Sequence, residues 1–344
     1  MSEGHGSDAP SPRGEGVRST GGALSEGRTP SATASQRHLP RWGRSEVVLP
    51  FIIFTAIWGS TWIVIRGQLG VVPPQWSVTY RFLIAAIAMA AVATWKGQSL
   101  RLGSKAIIPA LFLGFAQFCV NFNAVYLAER HITSGVVATV FALLLIPSSL
   151  LAWAFLGQRV TSRFAWSSVV AVVGIFLLFV HELQEHAASA RAAAAGIGLT
   201  LAGMVGASAA NVFQARPEMR RFPLLALLTW SMAAGAAIDA VAALILSGWP
   251  VMDWHPGYWA GLLYLSLAAS VLTFSLYYPV VRKIGPAKAA YSSVIVPIIA
   301  MGFSTWLEHY RWTPLAIAGA ILALGGMAGA LTRSKTRISA PDAA

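Results

Sequence analysis

Residues 106–128 read AIIPALFLGFAQFCVNFNAVYLA and contain no Asp, Glu, Lys or Arg. A helix needs about 20 such residues to cross the hydrocarbon core of a bilayer, because each residue adds about 1.5 Å. Comparable charge-free runs recur at 47–65, 131–158, 164–181, 192–215, 254–281, 289–307 and 312–332. Two more, at 75–95 and 222–247, are each interrupted by one charged residue, Arg81 and Asp239. The sequence therefore predicts an all-α integral membrane protein with ten transmembrane helices.

The composition of the 344 residues supports this prediction. Hydrophobic residues make up 56% and charged residues 11%, whereas a soluble protein has about 25% charged residues. That scarcity of charge excludes a soluble globule and a disordered chain. The single Cys119 excludes a disulfide framework and a multi-cysteine metal site. The net charge of +12 lies mainly between apolar runs rather than on a soluble basic domain, so no nucleic acid partner is expected.

The two termini differ from the apolar middle of the chain. Residues 1–45 are rich in Ser, Gly, Pro and Arg, and we expect a disordered cytoplasmic tail there. Residues 333–344 are expected to form a short basic cytoplasmic tail. Basic residues flank the apolar runs mostly on one side, and the opposite side carries only Arg66, Arg130, Arg191 and Arg311. The positive-inside rule then predicts a multi-pass protein of the cell (inner) membrane with both termini in the cytoplasm.

The chain also contains an internal repeat at a shift of 150 residues. This shift aligns Arg66 with Arg216, Pro73 with Pro223, Gly135 with Gly285, Pro147 with Pro297 and Gln158 with Glu308. The predicted halves, 46–182 and 192–332, hold helices 1–5 and 6–10. Because five is an odd number, the second half must insert upside down. Inverted repeats of this kind are typical of alternating-access transporters.

The motifs within these halves resemble those of the EamA family of the drug/metabolite transporter superfamily. The resemblance covers residues 47–332 and is carried by Trp58-Gly59-Ser60-Thr61-Trp62, by Tyr80-Arg81-Phe82, and by the repeat ends Pro147 to Leu156-Gly157-Gln158 and Pro297 to Leu307-Glu308. It implies export of amino acids, small metabolites or toxic compounds without ATP. One position departs from the pattern: similar proteins often have Glu where this chain has Gln158, while Glu308 keeps it.

Arg81 and Asp239 are the first candidate substrate-binding residues. Placing an ionisable group in hydrocarbon costs about 2.5–3.5 kcal/mol, so each residue needs a partner or water. We expect both to face a central cavity at similar depth, either paired with each other or binding opposite ends of a zwitterionic substrate. A purely structural ion pair is one alternative, and an Arg81 side chain that snorkels to the headgroups is the other.

Helix 3 supplies uncharged candidates. Gln117 and Asn121 are four residues apart and are expected to share a helix face, whereas Asn123 is expected to point elsewhere. Their amides suit a polar metabolite, and hydrogen bonding between helices is the alternative. Asn211 on helix 6 is a weaker candidate of the same kind.

An aromatic residue and two prolines complete the predicted site. Trp58 is expected to form a cavity wall against apolar substrate groups. Pro147 and Pro297 each remove one backbone hydrogen bond, so they are candidate hinges, with a plain structural kink as the alternative. A Gly325-x-x-x-Gly329 step on helix 10 is expected to serve helix packing or a dimer contact.

The sequence favours a secondary transporter rather than an enzyme, since it contains no phosphate-binding, metalloprotease or hydrolase motif. The favoured reading is export of a small amphipathic metabolite by alternating access. Uniport, exchange or uptake of a metabolite or drug is the alternative, and a non-transporting receptor or scaffold is less favoured. The expected partners are a small-molecule substrate and the lipid bilayer, with protons as candidate coupling ions through Asp239. The protein is expected to be a monomer or homodimer, with no cofactor or metal.

Overall fold

A computed structural model describes residues 44–157, 160–185, 190–284 and 292–331. Within these ranges the chain is helical and contains no β-strand. We number the helices α1 (Arg44–Arg66), α2 (Pro74–Trp95), α3 (Ile107–Leu113, Gly114–Asn121 and Phe122–Ala128), α4 (Ser134–Phe141, Ala142–Leu144 and Leu145–Leu156), α5 (Ser162–Glu185), α6 (Ala190–Gln214), α7 (Leu224–Ser247), α8 (Pro256–Leu263, Tyr264–Leu272 and Thr273–Ile284), α9 (Ser292–Leu307) and α10 (Pro314–Leu331).

Nine of the helices in the described ranges are long and apolar enough to cross a membrane. The remaining one, α9, is apolar but has 16 residues, and it begins directly after positions 285–291, which lie outside the described ranges. Large apolar side chains such as Ile87, Phe176, Ile245 and Ile321 are exposed, as expected for a lipid-facing surface. The prediction of an all-α membrane protein is confirmed, whereas the count of ten spanning helices stays a prediction.

Successive helices alternate in direction, so the bundle has two ends. The first, which we call the Arg66 end, contains the end of α1, the loop between α3 and α4, and the residue after α9. Contacts from Arg66 to Glu129 and to Glu308 hold these three parts together. The opposite end, which we call the Lys96 end, contains the end of α2 and the start of α7, where Lys96 and Leu224 line one cavity. Helix α1 ends at the Arg66 end but α6 ends at the Lys96 end, so the two helices run in opposite directions.

The packing of the helices follows the internal repeat. Helix α2 packs along α7, α4 along α9, and α5 along α10, so these pairs join equivalent helices of the two halves. Helix α1 contacts α8 and α9, just as α6 contacts α3 and α4. Exchanging each helix with its counterpart five positions later therefore preserves the contacts. This agrees with two repeats related by a pseudo-two-fold axis.

The helical geometry itself repeats as well. Gly114–Asn121 in α3 and Tyr264–Leu272 in α8 are π-helical segments, in which the backbone bonds span five residues instead of four. Their first residues are 150 positions apart, which is the shift found in the sequence. Because π-helical segments are rare and occur frequently at functional sites, the two segments direct attention to the residues around them.

Helices α5 and α10 meet along a seam of small residues. A Cβ atom added at Gly174 would lie 2.2 Å from the Ala323 backbone nitrogen, and one at Gly326 would lie 2.5 Å from the Ala171 nitrogen. A Cβ at Gly325 would meet no atom within 4 Å. The close approach thus involves Gly326 rather than Gly325 of the predicted Gly325-x-x-x-Gly329 step. Backbone-to-backbone contact of this kind is how helices associate without a hydrophobic driving force.

Candidate substrate site and end closures

Arg81 lies inside the helix bundle and is 2% exposed. Its Nη2 atom donates to the Ser270 hydroxyl at 3.5 Å, within the π-helical segment of α8. The guanidinium also stacks over the Phe122 ring, with its central carbon 4.5 Å from the ring centroid. Its Nε and Nη1 atoms have no hydrogen-bond partner among the described residues. Arg81 is therefore held in place by α3 and α8 while part of its donor capacity remains unused.

Asp239 is fully buried in α7 and is bonded to α3. The Asn123 amide donates to its Oδ1 atom at 2.6 Å and to the Cys119 carbonyl at 3.0 Å. The spacing of an α-helix sets Asn123 apart from Gln117 and Asn121, and Asn123 faces α7 whereas Asn121 lies against Gly203 of α6. Asn123 is thus a site residue that the sequence analysis missed.

Arg81 and Asp239 do not form an ion pair with each other. Arg81 contacts Phe122, and Asp239 contacts the next residue of α3, Asn123. The structure therefore does not contain the Arg81–Asp239 ion pair that the sequence analysis considered as an alternative. Arg81 also does not snorkel, because it is enclosed by protein groups. Binding of opposite ends of a substrate by these two residues stays a prediction.

Trp58 belongs to an aromatic cluster on α1 and α8. Its indole nitrogen donates to the Ala269 carbonyl at 3.4 Å, one residue before the Ser270 that contacts Arg81. Its ring lies 6.0 Å from the Phe274 ring and 5.1 Å from the Tyr277 ring, measured between centroids. Trp58 and Arg81 therefore meet the same π-helical segment. Phe274 and Tyr277, which were not predicted as site residues, extend the aromatic surface.

The amide candidates are not gathered around Arg81 and Asp239. Asn121 is buried, and its Oδ1 atom lies 3.4 Å from the position of a Cβ at Gly203 of α6. Gln117 is half-buried in the π-helical segment of α3, and Asn211 is exposed on α6. Their role in substrate binding stays a prediction.

The two predicted hinge prolines have different surroundings. In α4 the α-helix changes to a 3₁₀ turn at Ala142–Leu144, and Pro147 follows at once. Proline lacks the N–H that would bond to residue 143, so the change of geometry has a local cause. Pro297, in contrast, lies inside the continuous helix α9. The break therefore occurs in only one of the two equivalent helices within the described ranges.

A cavity of about 380 Å³ opens at the Lys96 end. It is lined by Lys96, Gln98, Phe222, Leu225, Phe274 and Ser275, together with neighbouring residues of α7 and α8. Phe274 is shared between this cavity and the aromatic cluster around Trp58. The wall of the cavity therefore adjoins the aromatic cluster at Phe274, two residues after the π-helical segment ends at Leu272.

The Arg66 end is closed by polar contacts between four helices. The Arg66 Nε atom lies 3.6 Å from Glu308 Oε1, and Arg66 Nη1 donates to the Glu129 backbone carbonyl. Glu308 also accepts from the Ser134 hydroxyl at 2.6 Å and from the Ser134 amide at 3.1 Å. These contacts join the ends of α1, α3 and α9 to the start of α4. Gln158, the repeat counterpart of Glu308, lies outside the described residues, as do both predicted tails up to residue 43 and from residue 332.

Glu129 is a second site residue that the sequence analysis missed. It directly follows the span Ser104–Ala128, so its charge marked the end of an apolar run and suggested a loop. In the structure it is fully buried. Burial raises the pKa of the Glu129 carboxyl well above its ordinary range; Glu308 raises it further, while Arg66 and Arg81 oppose the shift. Glu129 is therefore a second fully buried carboxyl group besides Asp239.

Comparison with known proteins agrees with this architecture. The model of the EamA-like transporter family matches residues 46–180 and 194–332, one match for each half of the chain. One solved crystal structure shares the fold, with a TM-score of 0.59 and 19% sequence identity over 84% of this chain and 97% of that one.

Full-length relatives are similar over most of their length. The transporter YoaV of Bacillus subtilis is 23% identical over 82% of this chain and 95% of its own. A probable amino-acid metabolite efflux pump of Escherichia coli is 24% identical over 83% of this chain and 94% of its own. The inner membrane transporter YedA of Escherichia coli is 26% identical over 76% of this chain and 84% of its own. Since the family model covers most of the chain in two copies, the chain belongs to the EamA-like transporter family, whose members are membrane transporters rather than enzymes.

Proposed function

We propose that this transporter exports a small amphipathic metabolite by alternating access. The observation that carries the proposal is the asymmetry of the two ends around the buried Arg81. A cavity opens at the Lys96 end, while the Arg66 end is closed by the contacts of Arg66 and Ser134 with Glu308. An alternating-access carrier is expected to have one open and one closed end in each of its states.

The direction of export follows from the orientation of the chain. Basic residues cluster near the Lys96 end, including Lys96, Arg101 and Lys105, and the positive-inside rule assigns that end to the cytoplasm of the inner membrane. The described conformation then faces inward and can load substrate from the cell. The chain's similarity to a protein named as a probable amino-acid metabolite efflux pump supports the same direction.

The chemistry of the candidate site supports an amphipathic substrate. Phe274, Trp58 and Tyr277 offer aromatic surface, and Arg81 has unused donors for an anionic group. Asp239 has one carboxyl oxygen, Oδ2, without a hydrogen-bond partner among the described residues. An apolar body with an anionic and a cationic group, as in an aromatic or branched amino acid, matches this set.

The test compares external metabolites of cells that produce the protein with those of cells that produce a double variant, Arg81→Ala with Asp239→Asn. We expect one class of amphipathic compounds to accumulate outside only with the unchanged protein. Arg101→Gln, at an exposed position, is the matched control and should export as the unchanged protein does. Equal external profiles for all three, at equal amounts in the membrane, would contradict export of the compounds sampled.

A further inference from the structure

We propose that Glu129 is a proton-binding site and that closure of the Arg66 end requires a proton on its carboxyl group. This inference rests on the proposed alternating-access function and makes its return step depend on a proton. The Arg66 end has to open for substrate to leave on that side. The state of Glu129 then decides how easily it closes again.

The geometry leaves the Glu129 carboxyl without local stabilisation. Its side chain is 0% exposed, and both Oε1 and Oε2 have no hydrogen-bond partner among the described residues. Arg66, the nearest candidate donor on α1, instead bonds to the Glu129 backbone carbonyl and pairs with Glu308. An ionised carboxylate in such a place loses its hydration and gains no hydrogen bond in return, whereas the protonated acid carries no net charge.

The charged groups around Glu129 come from four helices. Glu308 at the end of α9 repels the ionised form, and Arg66 of α1 and Arg81 of α2 attract it. Tyr126, on α3 itself, has a buried hydroxyl that interacts with both Glu129 and Arg81. Helix α6 also packs against this part of α3, and its charged residue at this end, Arg191, is exposed. Neither Arg66 nor Arg81 donates a hydrogen bond to the Glu129 carboxyl, since both of its oxygens lack a partner among the described residues.

These facts link protonation to closure. When the Arg66 end opens, water reaches Glu129 and its pKa returns towards the ordinary value of about 4.3. In the closed state burial holds the pKa well above that value. At a pH between these two pKa values, Glu129 takes up one proton from the medium at the Arg66 end when that end closes. Acid on that side therefore favours closure. At a pH above the closed-state pKa, closure is opposed because the ionised Glu129 carboxylate must be buried.

The proton fits the return step of an exporter. After substrate has left at the Arg66 end, a proton from that side binds Glu129 and allows the end to close, so that the protein faces the cytoplasm again. The proton returns to the same side when the Arg66 end next opens and water reaches Glu129.

Infrared spectroscopy of the purified protein tests the site directly. We expect a carbonyl stretching band of a protonated carboxylic acid at neutral pH, which is lost in Glu129→Gln and kept in the reference Asp239→Asn. In Glu308→Gln the band should disappear at a lower pH than in the unchanged protein, since the repulsion from Glu308 is gone. A spectrum in which Glu129→Gln removes no such band would overturn the proposal. Should Glu129→Gln not fold, Glu129→Asp identifies the band by shifting it.

A flux measurement separates this proposal from the proposed function. Export by the unchanged protein should depend on the pH at the Arg66 end, and Glu129→Gln, which is permanently neutral, should lose that dependence. Unchanged pH dependence in this variant would contradict the proton site while leaving export intact. Absence of export in the unchanged protein, with the infrared band present, would instead contradict the proposed function alone.

Discussion

Arg81→Gln will abolish most of the transport while leaving the protein in the membrane. Glutamine removes the charge that a substrate anion meets, and its shorter side chain also loses the contact with the Ser270 hydroxyl. Loss of a buried, hydrogen-bonded charge costs about 2 kcal/mol or more, which corresponds to about thirtyfold in affinity. The measurement is the concentration dependence of export, in which the half-saturating substrate concentration should rise. Arg101→Gln serves as the control because Arg101 is exposed.

Exchanging the two charges extends this prediction. Arg81→Asp combined with Asp239→Arg should be as inactive as either single change, since each residue has its own partners on α3 and α8. Recovery of transport in the double variant would mean that the two side chains act as a simple pair. That result would contradict the contacts seen here.

Gly174→Leu is expected to have the largest effect on stability. A side chain at this position collides with the backbone of α10, at 2.2 Å from the Ala323 nitrogen and 2.6 Å from the Gly319 oxygen. Backbone atoms cannot move aside as a flexible side chain can, so helices α5 and α10 must separate. Overpacking of this kind costs about 3 kcal/mol. Thermal unfolding of the purified protein should show a clear loss of stability, or the variant should fail to accumulate in the membrane.

A matched control lies on the partner helix. Gly325→Leu introduces the same side chain into α10, where it meets open space. It should unfold at nearly the temperature of the unchanged protein. A loss of stability equal to that of Gly174→Leu would show that glycine is needed on α10 for a reason other than the α5–α10 contact.

The fold was largely predictable from the sequence because its determinants are local. Charge-free runs specify the helices, and the shift of 150 residues anticipates the pairing of α2 with α7 and of α5 with α10. Two details were not predictable. A π-helical segment such as Gly114–Asn121 has no simple sequence signal, and which glycine of Gly325 and Gly326 meets α5 depends on helix rotation. Both arise from tertiary packing.

The candidate site was predicted less completely. Arg81, Asp239 and Trp58 stood out because a charge or an indole within an apolar run is unusual. In the structure Arg81 and Trp58 both contact the π-helical segment of α8. Asn123 was set apart from Gln117 and Asn121, but its bond to Asp239 could not be predicted because it depends on how α3 packs against α7. Glu129 was taken for a loop residue because charge usually ends a membrane segment, although the fully buried carboxyl is separated from solvent only by tertiary contacts.

Cross-linking of the Arg66 end tests the alternating-access account most directly. Gly67→Cys and His309→Cys, in a Cys119→Ser background, place thiols at exposed positions next to the Arg66–Glu308 pair without removing it. A short bifunctional thiol reagent then ties α1 to α9 in the closed arrangement. We predict that export stops on cross-linking, and that each single-cysteine variant treated with the same reagent continues to export. Export by the fully cross-linked protein at the rate of the untreated one would contradict the account, because the Arg66 end would then not have to open.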